Sequence, residues 1–247
     1  MAQGRAPKGS PHGGEYSRNR NPESEVDLSS SMLPDELVKQ MPSGTGETWL
    51  KIAPLLPASA YLSGGTALTV HLLHRVSRDL DIFLERPENL QTLWIQFQNV
   101  GNARATQHDD STINCVIDGT KVQVTKAATL KIVSPFITIG GMRVASVNDI
   151  MAMKLKIIVD RGELRDYFDI MKIEEDRRIM VEIGLAFAVE KYSPTQPDRF
   201  IKLIVMALGS LNDVEDDPAL PVSKEVIVDY WMKRQRLLMK HIAMFGG

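Results

Sequence analysis

Asp79 and Asp81 stand two positions apart in an otherwise apolar run, Leu80, Ile82 and Phe83, and a Gly64-Gly65-Thr66 turn precedes them. In a strand alternate side chains share a face, so both carboxylates point one way while Leu80 and Ile82 point the other. Two such carboxylates repel unless a cation lies between them, and oxygen ligands at this spacing suit Mg²⁺ or Mn²⁺ bridging to triphosphate oxygens. A glycine turn at the start of a helix lets backbone N–H groups approach phosphate at the positive end of the helix dipole. Either element alone is common; solvated acids on a strand edge and an ordinary helix start explain them separately. Their order, glycine turn, helix, D-x-D strand, makes the combination specific for a metal-bound nucleoside triphosphate.

A second block adds cations. Lys154 and Arg161 are seven residues apart, close to one helix face, and can present two positive charges to a triphosphate, or form a solvated face. Arg165 and Asp169 are four apart, a spacing that permits an ion pair. Asp166, in the first turn of its helix, can cap backbone N–H groups or act on a substrate hydroxyl. His71 and His74 have no metal-ligand companions, and packing or an edge hydrogen bond accounts for both.

The elements that position these residues alternate. Asp35 to Met41 and Trp49 to Leu56 read as short helices, Tyr61-Leu62 as a brief strand, Thr66 to His74 as a helix and Asp79 to Leu84 as a strand. Glu88 to Asn99 is helical, and Ala103 to His108, Thr112 to Ile117 and Lys121 to Thr125 are extended, the last two joined by an Asp118-Gly119 hairpin turn. Ile137 to Val144, broken by Gly140-Gly141, gives a further small hairpin. After Val147 the period becomes 3.6, with helices at 148–161, 164–175, 178–191, 197–208 and 223–244. Asn148 and Ser223 are their expected N-caps, and Gly162 is a stop. Val226, Leu237 and Ile242 form the expected apolar stripe of the last helix.

The bulk composition restricts the rest. The net charge of -2 gives no global attraction to nucleic acid, so RNA contact would need a local basic surface. One such run is Lys233, Arg234, Arg236, Lys240 and His241 beside Tyr230 and Trp231, which is equally an ordinary solvated face. The single Cys115 allows no internal disulfide or cysteine-rich zinc site, which fits a reducing cytoplasm. No apolar run reaches the ~18 residues of a membrane span, and no secretory signal is evident. Residues 1–32 are polar and Gly/Pro/Ser-rich and are expected to form a disordered tail, followed by a core domain at 33–146 and a helical domain at 147–247.

Residues 62–83 resemble the first motif of the DNA polymerase β-like nucleotidyltransferases, and G-G-T-A-L, H-R, S-x-D-L-D-I-F within it is similar to the AbiEii/AbiGii toxin family of bacterial abortive-infection toxin–antitoxin pairs. Asn148 to Leu155 and Arg161 to Ile170 resemble that family's K-L and R-D-x-x-D block. The resemblance implies an α+β fold, a small mixed β-sheet with helices forming the nucleotidyltransferase core, followed by an α-helical C-terminal domain. It implies that Asp79 and Asp81 hold the metal, that Ser63, Gly64, Gly65 and Thr66 cradle phosphate with Arg75 and Ser77 in support, that Lys154 contacts the triphosphate and that Asp166 belongs to the catalytic set. Ser77 can also brace the aspartate strand.

Many superfamily members carry a third carboxylate on a later strand. Here Lys121 to Thr125 places Gln123 at that position, and glutamine is no base. Asp166 or, less simply, the turn residue Asp118 would have to replace it, or activity is weakened. The implied function is transfer of a nucleoside monophosphate from NTP to a macromolecule, with tRNA as acceptor and an antitoxin as partner. Two others stand beside it: a small-molecule adenylyltransferase of the antibiotic type, and a binding module that keeps the fold without catalysis.

Overall fold

The computed structural model describes residues 32–211 and 213–245, with side chains through residue 240, so residues 1–31 of the expected tail lie outside the described residues. The elements run α1 (Asp35–Lys39), α2 (Thr45–Ile52), a 3-10 turn (Ala53–Leu55), β1 (Ala60–Ser63), α3 (Gly64–Leu72), β2 (Asp79–Leu84), α4 (Leu90–Gln98), β3 (Ala103–His108), β4 (Thr112–Ile117), β5 (Thr120–Lys126), β6 (Ile137–Ile139) and β7 (Met142–Val144). Helices α5 (Val147–Arg161), α6 (Leu164–Arg177), α7 (Val181–Tyr192), α8 (Pro197–Leu208) and α9 (Lys224–Phe245) follow.

The strands form one mixed seven-stranded sheet, ordered β3-β4-β5-β2-β1-β7-β6. β2 runs antiparallel to β1 and parallel to β5. Alternation decides its two faces. Leu80, Ile82, Leu84, Ile113, Ile117, Val122 and Val124 are fully or almost fully buried on one side, against which α4 packs at β3 and β4. The other side carries Asp79, Asp81 and Phe83. There α5 lies over β1, with Ser63 Oγ donating to Met153 Sδ at 3.1 Å, while the β3–β4–β5 part stays open. The Asp118-Gly119 turn is as expected: both residues have positive φ, 49° and 87°. The buried side chains run as one continuous cluster from Leu33 to Leu238, across the junction at residue 146.

Two local expectations are corrected. The N-cap of α5 is Ser146, not Asn148: Ser146 Oγ accepts from the Asp149 N–H at 3.1 Å, and Asn148 already lies inside the helix. In α9 the buried stripe is Ile227, Trp231 and Leu238, whereas Val226 and Leu237 are about half exposed. The stripe is therefore one residue out of phase with the expected one, because Trp231 and not Val226 supplies the larger apolar surface for α6.

Asp149 locks the start of α5. Its fully buried carboxylate accepts from Lys191 Nζ at 2.8 Å and from the Val133 and Ser134 N–H groups at 3.0 Å each. This ties the loop before β6, and α7, to the helix that carries Lys154. Removing one partner strands a buried charge. Lys191→Met is expected to destabilise the protein by about 3–5 kcal/mol, measured by urea unfolding.

Candidate active site

Gly64 opens α3 with φ +70°, and a Cβ there would lie 2.2 Å from Asp81 Oδ2. Gly65 has a second restriction, since its Cβ would meet Arg75 Nη2 at 2.7 Å and Ser77 Oγ at 2.9 Å. The glycines thus keep side chains out of the space where the helix N-terminus meets the carboxylate and the guanidinium. Only backbone fits between α3 and Asp81.

Thr66 is fully buried below this turn. Its Oγ1 is 2.5 Å from the Asp79 carbonyl, which can only accept, so the Thr66 proton goes there and the Ser77 hydroxyl, 2.9 Å away, donates to Thr66. Ser77 N–H also donates to the Gln40 carbonyl at 3.1 Å, and Thr69 Oγ1 donates to the Arg75 carbonyl at 3.1 Å. Together these bonds hold the 73–78 segment and the first residue of β2. The Ser63 and Thr66 side chains do not line the cleft beside this turn: Ser63 faces Met153, and Thr66 braces the strand. Gly64, Gly65, Arg75, Ser77, Asp79 and Asp81 do line one cleft, of about 420 Å³.

Across the cleft stand Lys154, Arg161 and Asp166, also lining it. Lys154 is buried, its Nζ 2.6 Å from Asp166 Oδ1 and 2.8 Å from Asp169 Oδ2. Arg75 makes a two-pronged pair to Asp169, Nε to Oδ1 at 2.6 Å and Nη2 to Oδ2 at 2.8 Å. His74 Nε2 donates to the same Oδ1 at 2.8 Å, and its ring stacks on Phe168. Burial alone would push the Asp169 carboxyl up, but Lys154 and Arg75 outweigh it and hold the group well below the usual carboxylate range. Burial would likewise lower Lys154, and Asp169 and Asp166 reverse that, so its ammonium stays charged.

The ion pair expected between Arg165 and Asp169 is absent. Arg165 instead lies near Glu163, at 2.8 Å, and Asp217, at 3.7 Å, because the buried Asp169 is already shared among Arg75, Lys154 and His74. Asp166 closes a capping box: its Oδ2 accepts the Glu163 N–H at 3.2 Å, while Oδ1 takes Lys154. His71 Nε2 donates to the Ala145 carbonyl at 2.8 Å, an edge hydrogen bond.

Asp81 differs from the other carboxylates. Burial first, then the charge of Asp79, push its carboxyl up to about 6, against the pull of Lys154 and Arg161. In the adjacent strand Gln123 is its direct partner, so the third position is neutral in register as well as in sequence. Asp118 is remote from the cleft; it pairs with Lys51 at 2.8 Å and accepts the Asn102 N–H. Arg78, Lys121 and the wall from Asp217 to Leu220 also line the cleft, and the sequence reading had not singled them out. Lys121 was reachable, since it faces Asp79 across the parallel pair.

In α9 the residues beside the basic run are used for packing. Trp231 Nε1 donates to the Tyr167 carbonyl at 3.1 Å, Tyr230 to Glu174 Oε2 at 2.6 Å, and Arg234 pairs with Glu174 at 3.0 Å and with Glu182. Arg234 is thereby removed from the solvent-facing run.

No protein-family model matches the chain. An uncharacterized protein of Aquifex aeolicus (strain VF5) is 29% identical over 113 residues, 44% of this chain and 55% of that protein, so the chain spans about half the length of this curated relative. Among solved structures, an H. pylori protein described as a candidate nucleotidyltransferase superposes with TM-score 0.52 at 18% identity, covering 86% of this chain and 98% of that one. Two further structures are an antibiotic-resistance enzyme, ANT(2")-Ia with adenylyl-2"-tobramycin (TM-score 0.44, 16% identity, 58% and 97% covered), and the Mycobacterium tuberculosis H37Rv nucleotidyltransferase toxin MenT4 (0.36, 13%, 83% and 84%). Among the described residues no helix is long and apolar enough to cross a membrane. With almost the whole H. pylori chain matched in space, the mixed sheet with its helical C-terminal part is the nucleotidyltransferase fold.

Proposed function

We propose that this chain is a metal-dependent nucleotidyltransferase that moves a nucleoside monophosphate from an NTP to a hydroxyl of a macromolecular acceptor, the 3′ end of tRNA, as the toxin of a toxin–antitoxin pair. The observation that carries the enzymatic part is the pairing of Asp79 and Asp81 on one strand face, with Asp81 directly against the Gly64 backbone, opposite Lys154 and Arg161. The tRNA acceptor and the antitoxin rest on the motif resemblance, since fold alone does not fix function.

The donor chemistry fits a hard divalent cation. Asp79, Asp81 and the Gln123 side-chain carbonyl offer only oxygen, and among the described residues no group of three His, Cys, Asp or Glu gathers, so triphosphate and water oxygens would complete the shell around Mg²⁺ or Mn²⁺. When bound, the ion neutralises charge on the triphosphate and orients its oxygens. The chain's own residues do the rest. Backbone N–H groups at the start of α3 approach phosphate that no side chain obstructs. Arg75 and Lys154, held in place by Asp169, and Arg161 at the rim supply positive charge along the polyphosphate. The acceptor hydroxyl oxygen bonds to the α-phosphorus as the bond to the α,β-bridging oxygen breaks, and pyrophosphate leaves. Gln123 cannot take the hydroxyl proton and both Asp166 oxygens are engaged, so among the carboxylates of the β2 face only Asp79 and Asp81 are left to receive it.

Purified protein incubated with labelled NTPs, Mg²⁺ and total tRNA is expected to label RNA, and Asp81→Ala to lower the rate on the order of 10³-fold or more. Labelling that survives Asp79→Ala combined with Asp81→Ala sinks the metal assignment. A second expectation concerns stability without metal. The folded chain keeps a proton on Asp81 up to about 6, whereas the ordinary value is 3.8, so the folded state binds more protons between these values and loses stability as pH rises through them. In EDTA, Asp81→Asn is therefore expected to be more stable than the parent at pH 8 by about 1–3 kcal/mol, a gap that closes toward pH 4 and that Mg²⁺ narrows at pH 8 by stabilising the parent alone. Thermal melts at the two pH values, with and without Mg²⁺, measure it.

A further inference from the structure

The cleft at Asp79 and Asp81 has two exits of opposite charge. One passes under the segment after α8, where Asp217 and Glu163 line the cleft and Asp213, Glu215 and Asp216 adjoin them. The two arginines beside that wall are already matched, Arg165 by Glu163 and Asp217 and Arg161 by Glu163. The other exit runs over the open face of the sheet, through a second cavity shared by Asp79, Asp81, Thr106, Asn114, Lys121 and Gln123.

Strand register lays out this second exit in rows. Arg104 on β3 opposes Val116 on β4, Val116 opposes Lys121 on β5, and Lys121 flanks Asp79 on β2. The next row runs Gln107, Asn114, Gln123, Asp81. At ~4.8 Å per strand the platform reaches roughly 15 Å from the carboxylates to the β3 edge. Arg104 and Lys121 are exposed and make no ion pair among the described residues. A bulge between Ala105 and Gln107 brings Thr106 and Gln107 together against Asn114, with Thr106 Oγ1 donating to the Asn114 carbonyl and Asn114 Nδ2 donating to Gln107. Asp109 closes the far end, its carboxylate already accepting from Ser111, Thr112 and Gln107.

We infer that this open face of β3, β4 and β5 is the acceptor platform, binding a single-stranded nucleic-acid end by its phosphates and delivering the terminal hydroxyl to Asp79 and Asp81. The inference rests on the nucleotidyl-transfer reading above and adds to it the surface and its mode of contact. Two cations without an ion pair among the described residues, amides and hydroxyls, with the Asp109 carboxylate at the far end already engaged by Ser111, Thr112 and Gln107, form a face complementary to a phosphodiester backbone. The acidic exit repels the same chain. These strands present no aromatic ring on this face, so bases are not stacked there and contact is with phosphate and sugar. A polycationic acceptor such as an aminoglycoside would instead be drawn to the acidic wall.

The test compares the full chain, Arg104→Gln/Lys121→Gln, and the α9 variant Lys233→Gln/Arg236→Gln. Binding of a fluorescein-labelled single-stranded RNA is read by anisotropy from about 50 to 200 mM salt, and label transfer from NTP is read with total tRNA and, separately, kanamycin. The platform variant is expected to bind RNA about 10-fold more weakly with a log–log salt slope shallower by roughly 1.4, two phosphates at 0.7 each. Its KM for RNA should rise about 10-fold, and in the single variant Arg104→Gln, a residue outside the nucleotide cleft, KM for NTP should change by less than about 2-fold. Parent-like RNA binding by the platform variant, loss of binding in the α9 variant alone, failure of the parent to bind RNA, or labelling of kanamycin in place of RNA each overturns the platform. The two layers separate cleanly. RNA binding that depends on Arg104 and Lys121 without any label transfer by the parent overturns the transfer reading, whereas label transfer with an unchanged RNA KM in the platform variant overturns only the platform.

Discussion

Everything on the helical side of the cleft depends on one buried carboxylate. Asp169 has no exposed side-chain surface, and an ion in that position is tolerable only if its charge is matched and its lone pairs are filled. Arg75, Lys154 and His74 do both. They come from the segment after α3 and from α5, while Asp169 belongs to α6, so one charge fixes three elements relative to each other. Such clusters contribute little net stability compared with an apolar core, and what this one supplies is position. It sets two cations at fixed places beside the Asp79–Asp81 face, already desolvated before any anion arrives.

The opposite wall is arranged by exclusion. Because Gly64 and Gly65 lack side chains, Asp81 lies against backbone, in the space a Cβ would fill. The short chain of hydroxyls from Ser77 through Thr66 to the Asp79 carbonyl then prevents β2 from relaxing away. Held so, Asp81 is desolvated next to Asp79, and its raised proton affinity means that its ionised form works against folding. Under the proposed metal-dependent reading, a cation between the carboxylates would offset that cost.

Local geometry made part of this legible in the sequence. The period of two put Asp79 and Asp81 on one face whatever the rest of the fold, and the Asp-Gly turn fixed the β4–β5 register that sets Gln123 opposite Asn114, while its place beside Asp81 comes from the long-range β2–β5 pairing. What failed was decided by partners distant in the chain. The four-residue spacing of Arg165 and Asp169 suggested a pair, but Arg75, 94 residues away, claims the carboxylate. Ser63 and Thr66 looked like phosphate ligands from their types, yet the packing of α5 on β1 and the line of β2 direct their hydroxyls elsewhere. In α9, Trp231 alone shifted the buried stripe by one residue, a choice only the α6 surface could make. The glycines were noticed for phosphate, and their closeness to Asp81 and Arg75 followed only from the folded backbone.

Gln123 gains meaning from this electrostatic setting. A carboxylate in its place would stand directly beside Asp81 in the parallel pair, where Asp79 and burial already hold a proton on Asp81 up to about 6. Like charges at that spacing cannot all ionise without more cation, so a third acid would have protonated its neighbours or demanded a second ion. Glutamine keeps a carbonyl oxygen at the position and adds no charge. Asp166, across the cleft, is matched by Lys154 and committed to the start of α6. An amide beside Asp81 thus limits the negative charge on this face to what Asp79 and Asp81 supply.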